Sequence, residues 1–200
     1  AHLMTHYPKN RHCIACQRSR LRRRANRRST VDKEASPEFG ALVTMDHVYA
    51  HTTAMEGIDG SLDMLVVYDV GTEKVDAYPA KSKSSDCSYA AIQDFRGRTY
   101  LDMIYSDNSK EIKSAVRELG FPHRTSVPGI PQTNTLAEGR VNIVCNGTKT
   151  ALENAGLPCA FWPYAARHFC FGLATRDVGG TTSYFRQHGS HFGGPQIPFG

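Results

Sequence analysis

The 200-residue chain lacks any run of 18 apolar residues, which excludes a membrane-spanning helix, and its amino terminus lacks the apolar core of a signal peptide. Cysteine is sparse and mostly scattered: Cys13 and Cys16 form the one close pair among Cys13, Cys16, Cys87, Cys145, Cys159 and Cys170. That pattern excludes a disulfide framework and fits a reducing, intracellular compartment, with Cys87, Cys145, Cys159 and Cys170 expected as small buried apolar residues. Acid is missing altogether from residues 9–28, which hold nine Lys or Arg. The formal charge of +5 therefore leaves −4 for the rest of the chain. A block of this kind suits a polyanion, because each neutralised phosphate releases counterions, and Arg22, Arg23 and Arg24 are its densest part. The alternatives are a solvated tail or a nuclear-import signal. The chain opens on Ala1 and is expected to be a fragment of something longer.

What is present is enough apolar sequence for one main core plus a small appendage. Residues 41–49 alternate as a strand, with Leu42, Thr44, Asp46 and Val48 on one face. Residues 50–61 read as a loop. Residues 62–70 are nearly continuously apolar, as expected of a central strand, and Gly71-Thr72 turns them into an antiparallel strand over 74–79. A helix capped by Ser84 runs to about Phe95, a short strand over 103–106 ends at Asp107, a helix over 109–119 is closed by Gly120, and a last strand covers 121–127. Residues 136–154 carry a helical stripe of Ala137, Val141, Val144, Thr148, Ala151 and Ala155, and 160–174 form an aromatic-rich core helix. Three antiparallel strands followed by alternating helix and strand describe an α/β fold, a mixed sheet with helices on its faces. The expected divisions are an amino-terminal zinc-type segment and basic arm over 1–28, a linker over 29–40, a core over 41–178 and a post-core segment over 179–200.

Three acids stand out. Asp46 lies inside an apolar strand, where an uncompensated carboxylate costs heavily in desolvation; Asp107 ends another strand; Glu138 opens a helix. Hard divalent ions take oxygen ligands and keep waters for phosphates, so such a cluster suits phosphoryl transfer. Taken singly, each has a plainer reading: a turn or cap carboxylate for Asp46 and Asp107, a first-turn acid favourable to the helix dipole for Glu138. Asp69 is assigned to its turn. At the amino terminus, His2-x3-His6 and Cys13-x2-Cys16 supply the ligands of a tetrahedral zinc site, with His12 an alternative to either histidine. So short a unit would be folded largely by its metal.

Asp46 in the first strand, Ser106-Asp107-Asn108-x-x-Glu111, and Pro131-Gln132-x-Asn134-x-x-Ala137-Glu138 resemble the integrase core of retroviruses and long-terminal-repeat retrotransposons, copia-type elements in particular. The His2, His6, Cys13, Cys16 set resembles the HHCC zinc module of the same polyproteins, so the likeness covers about residues 1–175. Thr181, Ser183, Tyr184, Phe185 and residues 197–200 match the post-core segment more weakly. The resemblance implies an RNase H-like fold and a DDE-type enzyme whose triad falls on Asp46, Asp107 and Glu138. It implies Mg²⁺ or Mn²⁺ at those acids, Zn²⁺ at the amino terminus, and 3′-end processing followed by strand transfer. The partners implied are DNA, both element ends and target, and further copies of the chain, with action in the nucleus on chromosomal DNA. Asn108, Gln132, Asn134, Arg140, Asn142 and Lys149 would contact DNA, mainly through phosphates. The sequence departs from the family at Ser109 and Thr135, where Gly is usual, and at Gly139, where a basic residue is usual. The spacer of 30 residues between Asp107 and Glu138 is short by roughly one helical turn. A decayed nucleic-acid-binding relic and another RNase H-like nuclease are the rival readings.

Overall fold

The computed structural model describes residues 2–19, 36–49, 55–126 and 135–200. Five strands form one mixed sheet: β1 (Val43–Tyr49), β2 (Asp63–Asp69), β3 (Val75–Ala80), β4 (Ile104–Ser106) and β5 (His123–Thr125), in the order β3-β2-β1-β4-β5. β1 to β3 form the antiparallel meander, while β4 lies parallel to β1 and β5 parallel to β4. The last strand is shorter than its apolar content suggests, and Val127 lies outside the described residues.

β2 is buried along its whole length because both sheet faces are covered. On one face, Val43, Met45, Leu65, Val67 and Ile104 pack with Ile92 and Phe95 of α3 (Ser85–Arg96) and with Ile112 and Val116 of α4 (Lys110–Leu119). On the other, Met64, Val66, Tyr68, Val75 and Ala77 pack with Val144 of α5 (Thr135–Ala155) and with Ala166 and Cys170 of α6 (Trp162–Thr175). The period of two thus sends Met45 to one layer and its neighbour Asp46 to the other.

Helix ends follow their chemistry. Ser84 Oγ accepts the Cys87 amide at 3.2 Å at the start of α3, and Gly120 closes α4 in the left-handed conformation. α5 and α6 cross closely: a Cβ at Gly147 would stand 2.2 Å from the Phe169 ring, so only glycine admits this contact. α7 (Ser183–His188), capped by Thr182, follows the core and went unrecognised in the sequence. Of the four cysteines expected to be buried, only Cys170 is; Cys87 and Cys145 are half-buried, and Cys159 is exposed in a 3-10 turn where α5 hands over to α6. No helix among the described residues is long and apolar enough to cross a membrane.

Candidate active site and metal centre

The amino-terminal segment has two short helices, α1 (His2–Thr5) and α2 (Ile14–Ser19), which bring His2, His6, Cys13 and Cys16 together with all donor atoms within 4.8 Å of one another. A tetrahedral zinc with nitrogen at about 2.05 Å and sulfur at about 2.3 Å has N···S edges of about 3.5 Å. The observed separations are 3.3 Å for Cys13 Sγ to His6 Nδ1, 3.7 Å for Cys16 Sγ to the same nitrogen, and 3.6 Å for Cys16 Sγ to His2 Nε2. The donor set therefore fits zinc in both kind and size. His12 is exposed, its Nε2 accepting from Arg11 at 3.1 Å, and it is not part of the group.

This segment leans on the core. Thr5 packs so closely on Gly172 of α6 that an added Cβ there would meet its methyl at 2.8 Å. Arg176 donates to the Tyr7 carbonyl at 2.5 Å and stacks on the Tyr7 ring, and the hydroxyls of Ser19 and Thr150 lie 2.5 Å apart.

The acids come from three elements on one side of the sheet. Met45 pairs with Ser106 across the parallel β1–β4 ladder, so the next residues on the two strands, Asp46 and Asp107, stand side by side. Asp107 caps the start of α4, its Oδ1 accepting the Ser109 amide at 3.1 Å. Glu138 sits exposed in the first turn of α5. The Asp46 carboxyl is pushed up to about 6, chiefly by burial, then by the charge of Asp107, with Glu138 adding to it. The His47 amide, 2.8 Å from Asp46 Oδ1, and the His47 ring only partly oppose this. An acid held up by burial and by two neighbouring acids is a site that a hard cation would relieve, and its oxygen-only donors suit Mg²⁺ or Mn²⁺. The three carboxylates do not close as tightly as the amino-terminal donors, which are the one such compact group among the described residues.

Under this centre, on the opposite face of β1, sequence reasoning missed a buried pair. His47 Nδ1 lies 2.6 Å from Asp63 Oδ2, and its Nε2 lies 3.3 Å from Ser88 Oγ on α3. The other Asp63 oxygen is buried without a hydrogen-bond partner. The signal was available: Asp63 opens an apolar run just as Asp46 sits in one, and the same desolvation argument applies. Asp69 is a turn carboxylate, accepting from the Gly40 amide at 2.9 Å and from the Thr72 amide and hydroxyl, both at 2.7 Å.

No protein-family model matches the chain. It is 26% identical over 130 residues to the retrovirus-related Pol polyprotein from transposon RE2 of Arabidopsis thaliana, covering 60% of this chain and 9% of that protein. It is 30% identical over 95 residues to the corresponding RE1 polyprotein of the same plant, covering 44% of this chain and 6% of that one. It is also 27% identical over 143 residues to the Pol polyprotein from transposon TNT 1-94 of Nicotiana tabacum, covering 65% and 11%. The chain thus spans about a tenth or less of the length of these relatives. Among solved structures, it is similar to the catalytic core domain of BIV integrase, with a TM-score of 0.52 and 19% identity over 72% of this chain and 90% of that one. The fold is that of a retroviral integrase catalytic core. Its five-stranded mixed sheet with flanking helices is the RNase H-like fold.

Within this core the candidate DNA contacts spread along one helix and one loop. Asn108 is exposed beside Asp107. Arg140 lies with its guanidinium 4.0 Å over the Tyr68 ring and donates to the Tyr68 hydroxyl at 2.7 Å. Asn142 is exposed and donates to the Glu138 carbonyl at 2.9 Å. Lys149 is some 16 Å along α5 from Glu138. There it borders an apolar cavity of about 120 Å³ with Val48, Met64 and Cys145. Gln132, Asn134, Arg22, Arg23 and Arg24 lie outside the described residues.

Proposed function

We propose that this chain is the integrase segment of a retrotransposon Pol polyprotein, a polynucleotidyl transferase that trims DNA 3′ ends and joins them to target DNA. The observation that carries this reading is the adjacency of Asp46 and Asp107 on neighbouring parallel strands, with the charge of Glu138 reaching Asp46. These three acids would hold Mg²⁺ or Mn²⁺, which when bound lowers the pKa of an attacking water or hydroxyl and stabilises the leaving oxygen. The protein's own part is positional. β1 and β4 set two carboxylates side by side, α5 would bring the third, and the His47–Asp63–Ser88 chain pins β1 to β2 and α3 beneath them. His2, His6, Cys13 and Cys16 would hold a structural zinc that steadies the amino-terminal segment against α5 and α6. The reaction breaks one phosphodiester and forms another at each joining, with water consumed only in the trimming step.

DNA binding through the basic arm, assembly into a homo-oligomer and action on chromosomal DNA in the nucleus belong to the same reading. A divalent-dependent strand-transfer assay with labelled duplex ends tests it. Joined products support the integrase; cutting without joining points to a nuclease, and neither activity to a non-catalytic relic.

A further inference from the structure

A cavity of about 230 Å³ opens where the amino-terminal segment meets the core, with Tyr7, Glu73, Arg140, Arg176, Ser183 and Arg186 among its lining. Three guanidiniums and one carboxylate make it net positive. Each cation is already oriented: Arg140 by Tyr68, Arg176 by the Tyr7 carbonyl, and Arg186 by Glu73, whose oxygen its Nη1 approaches to 2.8 Å. A guanidinium has five donors in a planar fork, so these contacts hold the forks in place and leave donors to spare. The Ser183 residue and Thr181 add hydroxyls to the same wall.

The position matters as much as the charge. Tyr68 pairs with Thr44, and Val66 with Asp46, so Tyr68 lies one strand over and two residues along from Asp46. Tyr68 and Val66 face the same layer, the one under α5 and α6 to which Asp46 also points. Strand geometry then separates Tyr68 from Asp46 by about 8–9 Å between Cα atoms. That is on the order of two to three nucleotide steps of helical rise along a strand.

We propose that this arginine-lined cavity seats a phosphodiester group of a DNA strand beside the acid centre, so that one phosphate is gripped while a near neighbour lies over Asp46 and Asp107. The proposal rests on the integrase reading and names a seat for its DNA partner. Arginine suits the role because its fork reads two phosphate oxygens at once. Glu73 tempers the site, holding Arg186 in place and competing with an incoming anion.

The test measures binding of the full zinc-loaded chain to duplex DNA by fluorescence anisotropy across a salt series without added Mg²⁺ or Mn²⁺. Arg186→Glu should weaken binding about tenfold at low salt and lower the salt slope by about one phosphate contact. Arg140→Gln should act in the same direction, and Glu73→Gln should tighten binding. Arg117→Glu, the same charge change on exposed α4 across the sheet, should have a clearly smaller effect. Equal losses for Arg186→Glu and Arg117→Glu would mean a diffuse field and overturn the site, as would no loss in either. Inorganic phosphate titrated alone gives the remaining arm: if Arg186→Glu abolishes its binding but leaves DNA binding unchanged, the cavity takes a free anion and the DNA assignment is wrong. Strand transfer is scored separately. Pocket-dependent binding without joining would leave the seat standing while the integrase reading falls, and joining untouched by the pocket variants would do the reverse.

Discussion

The two donor sets of this molecule behave differently, and the reason is in their hydrogen-bonding chemistry. His2, His6, Cys13 and Cys16 can hold one another, since a thiol and an imidazole nitrogen are donor and acceptor, and their atoms sit at separations close to the edges of a zinc tetrahedron. Asp46, Asp107 and Glu138 have no such option. Ionised carboxylates only accept, so they repel, and this repulsion adds to burial, the larger cause, in pushing the Asp46 carboxyl up to about 6. The amino-terminal set is pre-closed by its own contacts, whereas the acid set is brought to one side of the sheet by strands and a helix and stays open.

That contrast can be broken most sharply at the acids. Asp46→Asn or Asp107→Asn should reduce metal-dependent joining by on the order of 10³-fold or more while the melting temperature of metal-free protein holds or rises. A variant that joins DNA normally would remove these residues from the chemistry. The opposite behaviour is expected at the amino terminus: Cys16→Ser should lower bound zinc from about one per chain to nearly none and should destabilise, as expected of a small unit folded largely by a metal. Limited proteolysis should then cut within residues 2–19 while the sheet stays protected. Equal protease resistance with and without zinc would show that packing on α5 and α6 suffices.

A mutation in the scaffold beneath both sets should cost an intermediate amount. Gly147→Ala forces a methyl into the Phe169 ring and should destabilise by about 1–3 kcal/mol in chemical denaturation. A neutral result would mean that α5 and α6 part easily, and the placing of Glu138 would then be loose.

The smallest expected effect is on pH. Asp46 binds its proton more tightly folded than unfolded, where an aspartate titrates near about 3.9. Its contribution to metal-free stability is therefore complete below that value and is lost as pH rises through about 6. Allowing for solvent screening, wild-type protein should lose about 1–2 kcal/mol more than Asp46→Asn between pH 4 and pH 7.5. Parallel profiles for the two proteins would show that neither burial nor the neighbouring acids hold the Asp46 carboxyl up.

Much of the framework could be read directly. The continuous run that became β2, the stripe on α5 and the Ser84 and Gly120 caps depend on local periodicity and backbone chemistry, and each appears within a residue or two of its expected bounds. α7 was also locally written, with Thr182 before it and Gly189 after it, but its short and weakly apolar sequence hid it. Cys159 misled because cysteine usually packs inside, and only the turn between α5 and α6 put this one at the surface.

By itself, the sequence determined which residues could meet: an acid among apolar residues demands a partner, and the His and Cys spacing suits a zinc-type ion. Which partners they met was decided by tertiary structure. The β1–β4 register set Asp46 beside Asp107, the β1–β2 register sent His47 to Asp63, and contacts with Tyr68, Tyr7 and Glu73 brought Arg140, Arg176 and Arg186 to one cavity. Those pairings join residues up to 169 positions apart. No local propensity encodes them, because they arise only when the whole chain buries its apolar faces at once.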